Sequence, residues 1–186
     1  MNIMIVGVGG QGTLLTSRII GKAALYSDFD VKISEVHGMA QRGGSVVTFV
    51  RFGKKVYEPV CEEGTVDVLI SFERLEARRY AHFLKKDGIL IVNDTRIDPM
   101  TVVIGAAKYP EGILEEIAKS HTLYTINGGE IAKELGNSKV LNSVVLGLAA
   151  KHIGFDKKLW IDVLQSTVPP KTVEINTKAF EKGYEA

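Results

Sequence analysis

An α/β fold built on a mostly parallel sheet, with helices on both faces, is predicted by three observations. Apolar runs of strand length recur along the chain, segments with apolar residues at helical spacing lie between them, and the first run ends in a glycine-rich turn that leads directly into a helix. Strand, tight turn and helix in alternation stack as three layers in a Rossmann-like arrangement, here with a β-hairpin and a C-terminal tail in addition. The 186 residues, 45% hydrophobic and 24% charged, suffice for a substantial core, and residues 1–186 are read as a single domain.

Ile3 to Val6 form the first run, and beyond the glycine turn Leu15, Ile19 and Ala23 recur at helical spacing. Val31-Lys32-Ile33-Ser34 alternates as a strand does, and Ser45 to Phe52 is a longer β-branched and aromatic run that Gly53-Lys54 is expected to turn back as a hairpin. Val66 to Phe72 is the next strand. Leu75, Tyr80, Phe83 and Leu84 then fit a helix closed by Lys85-Lys86-Asp87-Gly88, lysines followed by glycine being a helix stop. Gly88 to Val92 reads as a buried strand, Val102-Val103-Ile104 as a short one and Thr122 to Ile126 as another; Ile113, Leu114, Ile117 and Ala118 make a helix entered through Pro110. From Gly128 the pattern is helical: Ile131 to Leu135, then Leu141, Val144, Val145, Leu148, Ala149 and His152, then Leu159 to Leu164 after Asp156 as N-cap. Val168-Pro169-Pro170-Lys171 interrupts regular structure. Residues 167–186 are expected to be a tail, with at most a short helix, that packs on the core or on a partner.

A formal charge of +1, from 23 basic and 22 acidic residues, offers no electrostatic basis for nucleic-acid or anionic-membrane binding. The N-terminal residues lack the pattern of a secretory signal and no apolar run reaches membrane-spanning length, so a cytoplasmic protein is expected. Cys61 is the sole cysteine. One thiol supplies neither an intrachain disulfide nor the ligands of an iron-sulfur cluster, and the adjacent Glu62 and Glu63 are expected to raise its pKa. His82, His121 and His152 lack metal-ligand spacing, so no metal site is expected. Glu73, Arg74, Glu76, Arg78 and Arg79 read as a solvated helix face, Asn142 as a helix cap and Trp160 as core.

Two glycine-rich stretches carry the candidate chemistry. In the first, Gly7-Val8-Gly9-Gly10-Gln11-Gly12, Gly7 permits a tight turn, Gly9 a close backbone approach and Gly12 close helix packing, while Gln11 stands beside the amides as a ligand contact or a brace for the adjacent loop. Amides at such a helix start attract anions. No lysine stands between Gly12 and Thr13, so this is not a nucleoside-triphosphate loop; with Glu35 as ribose partner it matches a dinucleotide fingerprint. The second stretch, Glu35-Val36-His37-Gly38-Met39-Ala40-Gln41-Arg42-Gly43-Gly44, gathers an imidazole, an amide and a guanidinium between glycines. Arg42 suits a carboxylate or phosphate, and His37 proton exchange near neutral pH or a turn cap.

These two stretches, with Asp67-Val68-Leu69-Ile70-Ser71-Phe72-Glu73-Arg74-Leu75-Glu76-Ala77, Gly136-Asn137, Asn142, Asn176 and Ala179-Phe180-Glu181-Lys182-Gly183, resemble the gamma subunits or domains of the 2-oxoacid:ferredoxin oxidoreductases over essentially the whole length. The small (beta) subunits of the indolepyruvate enzymes are the most similar. The resemblance implies a complex that decarboxylates a 2-oxoacid, here indolepyruvate and other arylpyruvates, reduces ferredoxin and releases arylacetyl-CoA. It further implies that thiamine diphosphate, its magnesium and the iron-sulfur clusters sit on a large partner subunit, with coenzyme A as co-substrate. The residues agree with that division: one cysteine cannot ligate clusters, and no Gly-Asp-Gly segment followed by asparagine is present for thiamine diphosphate. Gly7, Gly9, Gly10, Gln11, Gly12, His37, Gln41, Arg42, Gly43 and Gly44 are then expected to face substrate or coenzyme A, with no catalytic residue assigned. The competing readings are a stand-alone NAD(P)-binding oxidoreductase or sensor, and a structural subunit without ligand.

Overall fold

The computed structural model describes residues 1–38 and 43–186. β1 (Asn2–Val8) lies inside a six-stranded sheet of order β2-β3-β1-β4-β5-β6, with Ile3, Met4, Ile5 and Val6 wholly buried. β4 (Val66–Ser71), β5 (Leu84–Asn93) and β6 (Thr122–Ile126) run parallel to β1. β3 (Ser45–Gly53) runs antiparallel to β1 on one side and to β2 (Asp30–His37) on the other.

Strand alternation divides the apolar residues between two cores. Ile3, Ile5, Val50, Ile70 and Ile91 face a layer formed by α1 (Thr13–Tyr26), α6 (Leu141–Ile153), α7 (Lys157–Thr167) and α8 (Val173–Glu185). Met4, Val6, Phe49, Leu69 and Leu90 face α2 (Arg74–Tyr80) and α4 (Ile113–Ala118). α5 (Gly128–Glu134) adds Ala132 to the first core, where Trp160 is fully buried against Phe155. The three-layer, mixed α/β fold is therefore the architecture observed.

Four local expectations are corrected. The antiparallel pair is β2 with β3, matching Asp30 with Gly53 and His37 with Val46, and no strand after Gly53-Lys54 pairs back on β3. The reason is topological: β3 already has a strand on each edge, so no edge is left for residues after Gly53 to pair with. The helix after β4 ends at Tyr80, followed by one 3₁₀ turn, Ala81–Phe83. Lys85-Lys86-Asp87-Gly88 is not its stop but an irregularity inside β5, since Val66 pairs with Leu84 and Val68 with Ile89. Val102-Val103-Ile104 is no strand: Met100–Val103 form the helical turn α3. Both edges of β5 are occupied there, and Met100, Val103 and Ile104 are exposed. Finally, the segment from Glu174 is not a short helix, because α8 runs 13 residues and buries Asn176, Ala179, Phe180 and Gly183.

α8 lies directly on α6. A Cβ at Gly183 would stand 1.9 Å from the Val144 carbonyl oxygen, and one at Gly147 would stand 2.1 Å from the Phe180 carbonyl oxygen. Glycine costs helix propensity at both positions, and the close approach it permits outweighs that cost. Gly183→Ala is expected to destabilise the protein by about 3 kcal/mol, because backbone must move to admit the methyl group. Urea unfolding of the variant beside the parent chain checks this.

Asp67 ties β1 to the irregular start of β5: the Asn2 amide donates to Oδ2 at 2.6 Å, and Lys85 Nζ lies 2.5 Å from Oδ1. Burial pushes this carboxyl up, but the Lys85 and Asn2 hydrogen bonds outweigh it and hold the pKa below its ordinary 3.8. Its stabilisation is thus present above the ordinary value and lost as pH falls through the lowered one. Asp67→Asn is expected to cost about 1 kcal/mol at neutral pH, a modest figure because the pair is partly solvated, and the difference from the parent should shrink toward about pH 3. Denaturant titrations at the two pH values test it.

Candidate functional site

The chain leaves β1 at Val8 and enters α1 at Thr13 through Gly9 to Gly12. Gly10 at φ 103° and Gly12 at φ 87° occupy the left-handed region, which explains glycine at both. Gly12 is the N-cap of α1 and provides no side-chain cap, nor does an acidic residue stand in the first turn. The first amides of this 14-residue helix therefore receive no cap from the Gly12 position.

Gln11 braces this loop. Its Oε1 accepts from the Val8 amide at 2.7 Å, and its Nε2 donates to the Phe72 carbonyl at 3.0 Å. Phe72 follows β4, so the side chain links the ends of two parallel strands, and of the two roles considered for Gln11 the structure displays the bracing one. Gly7 leaves room for it: a Cβ there would lie 2.9 Å from Gln11 Oε1.

The second glycine stretch is joined to the first by backbone. The Gly9 amide donates to the Gly44 carbonyl at 2.9 Å, and the Gly43 amide to the Gly9 carbonyl at 3.4 Å. A cleft of about 350 Å³ lies beside this junction, lined by Gly9, Gly10, Gly12, Thr13, Leu14, Glu35, His37 and Val46. The structure thus brings Gly9, Gly10, Gly12 and His37 to one cleft, with Gly7 and Gln11 behind its wall and Gly43 and Gly44 at its side. Gln41 and Arg42 lie outside the described residues. His37 Nδ1 is 3.1 Å from the Gly38 carbonyl oxygen, a local turn contact.

The cleft departs from a dinucleotide site. In that motif the acidic residue ends the strand adjacent to β1, within reach of a ribose. Here β3 intervenes, placing Glu35 two strands away, roughly 9–10 Å at ordinary strand spacing. Thr48 Oγ1 also donates to Glu35 at 3.4 Å.

The supposed solvated face of α2 needs correction. Glu73 and Glu76 are 1% and 2% exposed, although Arg78 and Arg79 do reach solvent. Glu73 caps α2: Oε2 accepts from the Glu76 amide at 2.9 Å, while Oε1 accepts from Tyr109 Oη at 2.5 Å and the Ile97 amide at 3.2 Å. Burial, then the bond to Glu73, push the Tyr109 phenol pKa upward. Glu76 accepts from Ser45 Oγ at 2.5 Å and from Arg79 at 2.6 Å; burial raises its pKa against the opposing pull of those two donors. The three-residue spacing of Glu73 and Glu76 after an apolar strand is a helix-start signal, and it was the available clue to these residues.

Cys61 is buried, and desolvation is the main cause of its raised pKa. Asp67 adds to the effect and Arg51 opposes it, so the adjacent glutamates are not the cause. Asn142 does not cap α6: Val140 holds that position, and Asn142 packs against Gly12 with its Oδ1 buried and unbonded. Among the described residues, no three of His, Cys, Asp and Glu stand close enough to hold a metal ion, and no helix is long and apolar enough to cross a membrane.

A family model described as pyruvate ferredoxin/flavodoxin oxidoreductase matches residues 2–186. The chain belongs to this family. Among relatives, the indolepyruvate oxidoreductase subunit IorB of Thermococcus kodakarensis is 40% identical, an alignment covering 100% of this chain and 95% of that one. The subunit of the same name from Archaeoglobus fulgidus is 42% identical, covering 99% and 94%. The keto/oxoacid ferredoxin oxidoreductase gamma subunit of Geobacter sulfurreducens superposes with a TM-score of 0.74 at 27% identity, covering 99% of this chain and 96% of that one. The 2-oxoglutarate:ferredoxin oxidoreductase of Magnetococcus marinus shares the fold, with a TM-score of 0.72 at 19% identity, and this chain corresponds to 30% of that longer one. Within the family the chain is the small subunit of a ferredoxin-dependent 2-oxoacid oxidoreductase, one part of a multi-subunit complex.

Gln11→Ala removes both side-chain hydrogen bonds at the strand ends. It is expected to destabilise the protein by about 2 kcal/mol, and the Val8 amide should lose protection from solvent exchange in an NMR measurement.

Proposed function

We propose that this chain is the thiamine-free, cluster-free subunit of an enzyme that oxidatively decarboxylates arylpyruvates, indolepyruvate foremost, to arylacetyl-CoA while reducing ferredoxin. The observation that carries the substrate class is a gap in similarity. Four full-length relatives named for indolepyruvate are 38–42% identical, against 28–29% for those named for pyruvate, ketoisovalerate or 2-oxoglutarate.

The donor set supports this division of chemistry. A single buried thiol does not fit an iron-sulfur cluster, and the described residues offer no group of three ligands for a metal ion. In this reading thiamine diphosphate with magnesium, and the clusters that pass electrons to ferredoxin, are carried by a large partner subunit. This chain contributes a wall of the site. The uncapped start of α1, the amide of Gly10 and the guanidinium of Arg42 suit a phosphate of coenzyme A or the carboxylate of the oxoacid. The sheet order departs from the dinucleotide motif, since β3 stands between β1 and the strand that carries Glu35.

Reconstitution with the large subunit tests both parts. Against indolepyruvate, phenylpyruvate, pyruvate and 2-oxoglutarate, the complex is expected to give its highest kcat/KM with indolepyruvate; preference for pyruvate or 2-oxoglutarate would overturn the assignment. Arg42→Ala should raise KM for coenzyme A or the oxoacid by roughly tenfold, as loss of a charge-assisted contact does. Unchanged kinetics in an intact complex would remove the ligand role, and tight NADH binding by the isolated chain would favour the stand-alone enzyme.

A further inference from the structure

A buried carboxylate outside the cleft reaches the point where the two glycine stretches meet. Ser45, the first residue of β3, follows Gly43-Gly44 and stands opposite Val8 in the β1–β3 register. From one side the Val8 amide is held by Gln11. From the other, the Ser45 hydroxyl donates to Glu76 Oε2 at 2.5 Å, with Tyr80 Oη 3.3 Å away. Glu76 Oε1 is taken by Arg79, and a cavity of only about 30 Å³ lies among Val8, Gly43, Ser45, Glu73 and Glu76. The Val8–Ser45 pair thus carries both loops and is braced from β4 and from α2.

We propose that Ser45 and Glu76 are positioning residues that hold the exit of the second glycine stretch against the first, so that the two form one binding wall. The argument is energetic. A carboxylate 2% exposed, three residues from a second buried carboxylate, is a costly way to fill space, and apolar side chains of similar volume pack at such sites without the desolvation penalty. Its two oxygens instead meet one donor on α2 and one on β3, a strand that α2 does not adjoin in sequence. A hydrogen bond to a charged acceptor is directional, and this one fixes where β3 begins. The Gly9–Gly44 and Gly43–Gly9 backbone bonds lie one and two residues before that fixed point. The effect on ligands rests on the proposed function; the effect on the loops does not.

Two measurements test this. In the full chain alone, Ser45→Ala is expected to lower the exchange protection of the Gly9 amide by roughly tenfold, the loss of one such hydrogen bond, while the Ile5 amide in mid-sheet keeps its protection. Ser45→Thr, which restores the hydroxyl, should return Gly9 to the parent value. In the reconstituted complex, Ser45→Ala should raise KM for coenzyme A or the oxoacid by roughly five- to tenfold with kcat within about twofold, and Glu76→Gln, which keeps an acceptor for Ser45, should do so less. Gly9 protected as in the parent would overturn the proposal, whatever the kinetics. Loss of Gly9 protection without any KM change, together with an inert Arg42→Ala, would instead remove the ligand reading and leave the positioning intact. If Ser45→Ala fails to fold, Ser45→Cys, which keeps the side-chain volume and replaces the hydroxyl by a much weaker donor, supplies the same Gly9 readout.

Discussion

The peptide of Phe72 is the point on which the site end of the sheet depends. Its amide donates to the Val6 carbonyl at 2.9 Å, extending the β1–β4 pairing by one residue. Its carbonyl accepts from Gln11 at 3.0 Å and from Asn93 at 3.1 Å, side chains that belong to the loop after β1 and the end of β5. Parallel strands end in groups that the ladder no longer satisfies, and buried groups of that kind need partners. Here one carbonyl gathers three strand ends. Asn93 passes the constraint on, since its Oδ1 accepts from the Gly128 amide at the start of α5. The phenyl ring of the same residue is wholly buried, so displacing this peptide would cost packing and hydrogen bonds together.

Around that fixed point, the antiparallel β3 decides what kind of surface is presented. By standing between β1 and β2 it separates Glu35 from the first glycine loop, and by starting at Ser45 it delivers the second loop beside the first. A sheet in which β2 paired directly with β1 would have put an acidic side chain where a ribose binds. The strand inserted here instead places Val46 beside His37 and Glu35 in the cleft lining.

The parallel core was legible because apolar runs such as Ile3 to Val6 and Val66 to Phe72 carry their own message: only burial on both faces accounts for them. Features that need a partner element to make sense were not. Gly183 looks like the end of a helix until α6 is seen to require its missing side chain. Lys85 to Gly88 mimic a helix stop because a glycine that admits a close carbonyl, here that of Val66, which would stand 2.8 Å from an added Cβ, has the same local signature as one that ends a helix. Val102 to Ile104 have strand propensity but fall at the end of the helical turn α3. In the site, the proximity of the two glycine stretches followed from their motifs. The roles of Gln11, Glu73 and Glu76 did not, because a charged or amide side chain declares its burial only when the strands that enclose it are known.

The contact between α6 and α8 bears on how the protein is made. Val144 and Phe180, whose backbones meet at the two glycines, are distant in sequence, and α8 supplies Ala179 and Phe180 to the core that also holds α1 and α7. A ribosome synthesises α6 well before the helix that covers it. During that interval one apolar face of α6 has no lid, and non-local contacts of this sort are slow to close. Completion of this half of the core therefore waits on residues 173–185, the last helix to be synthesised among the described elements.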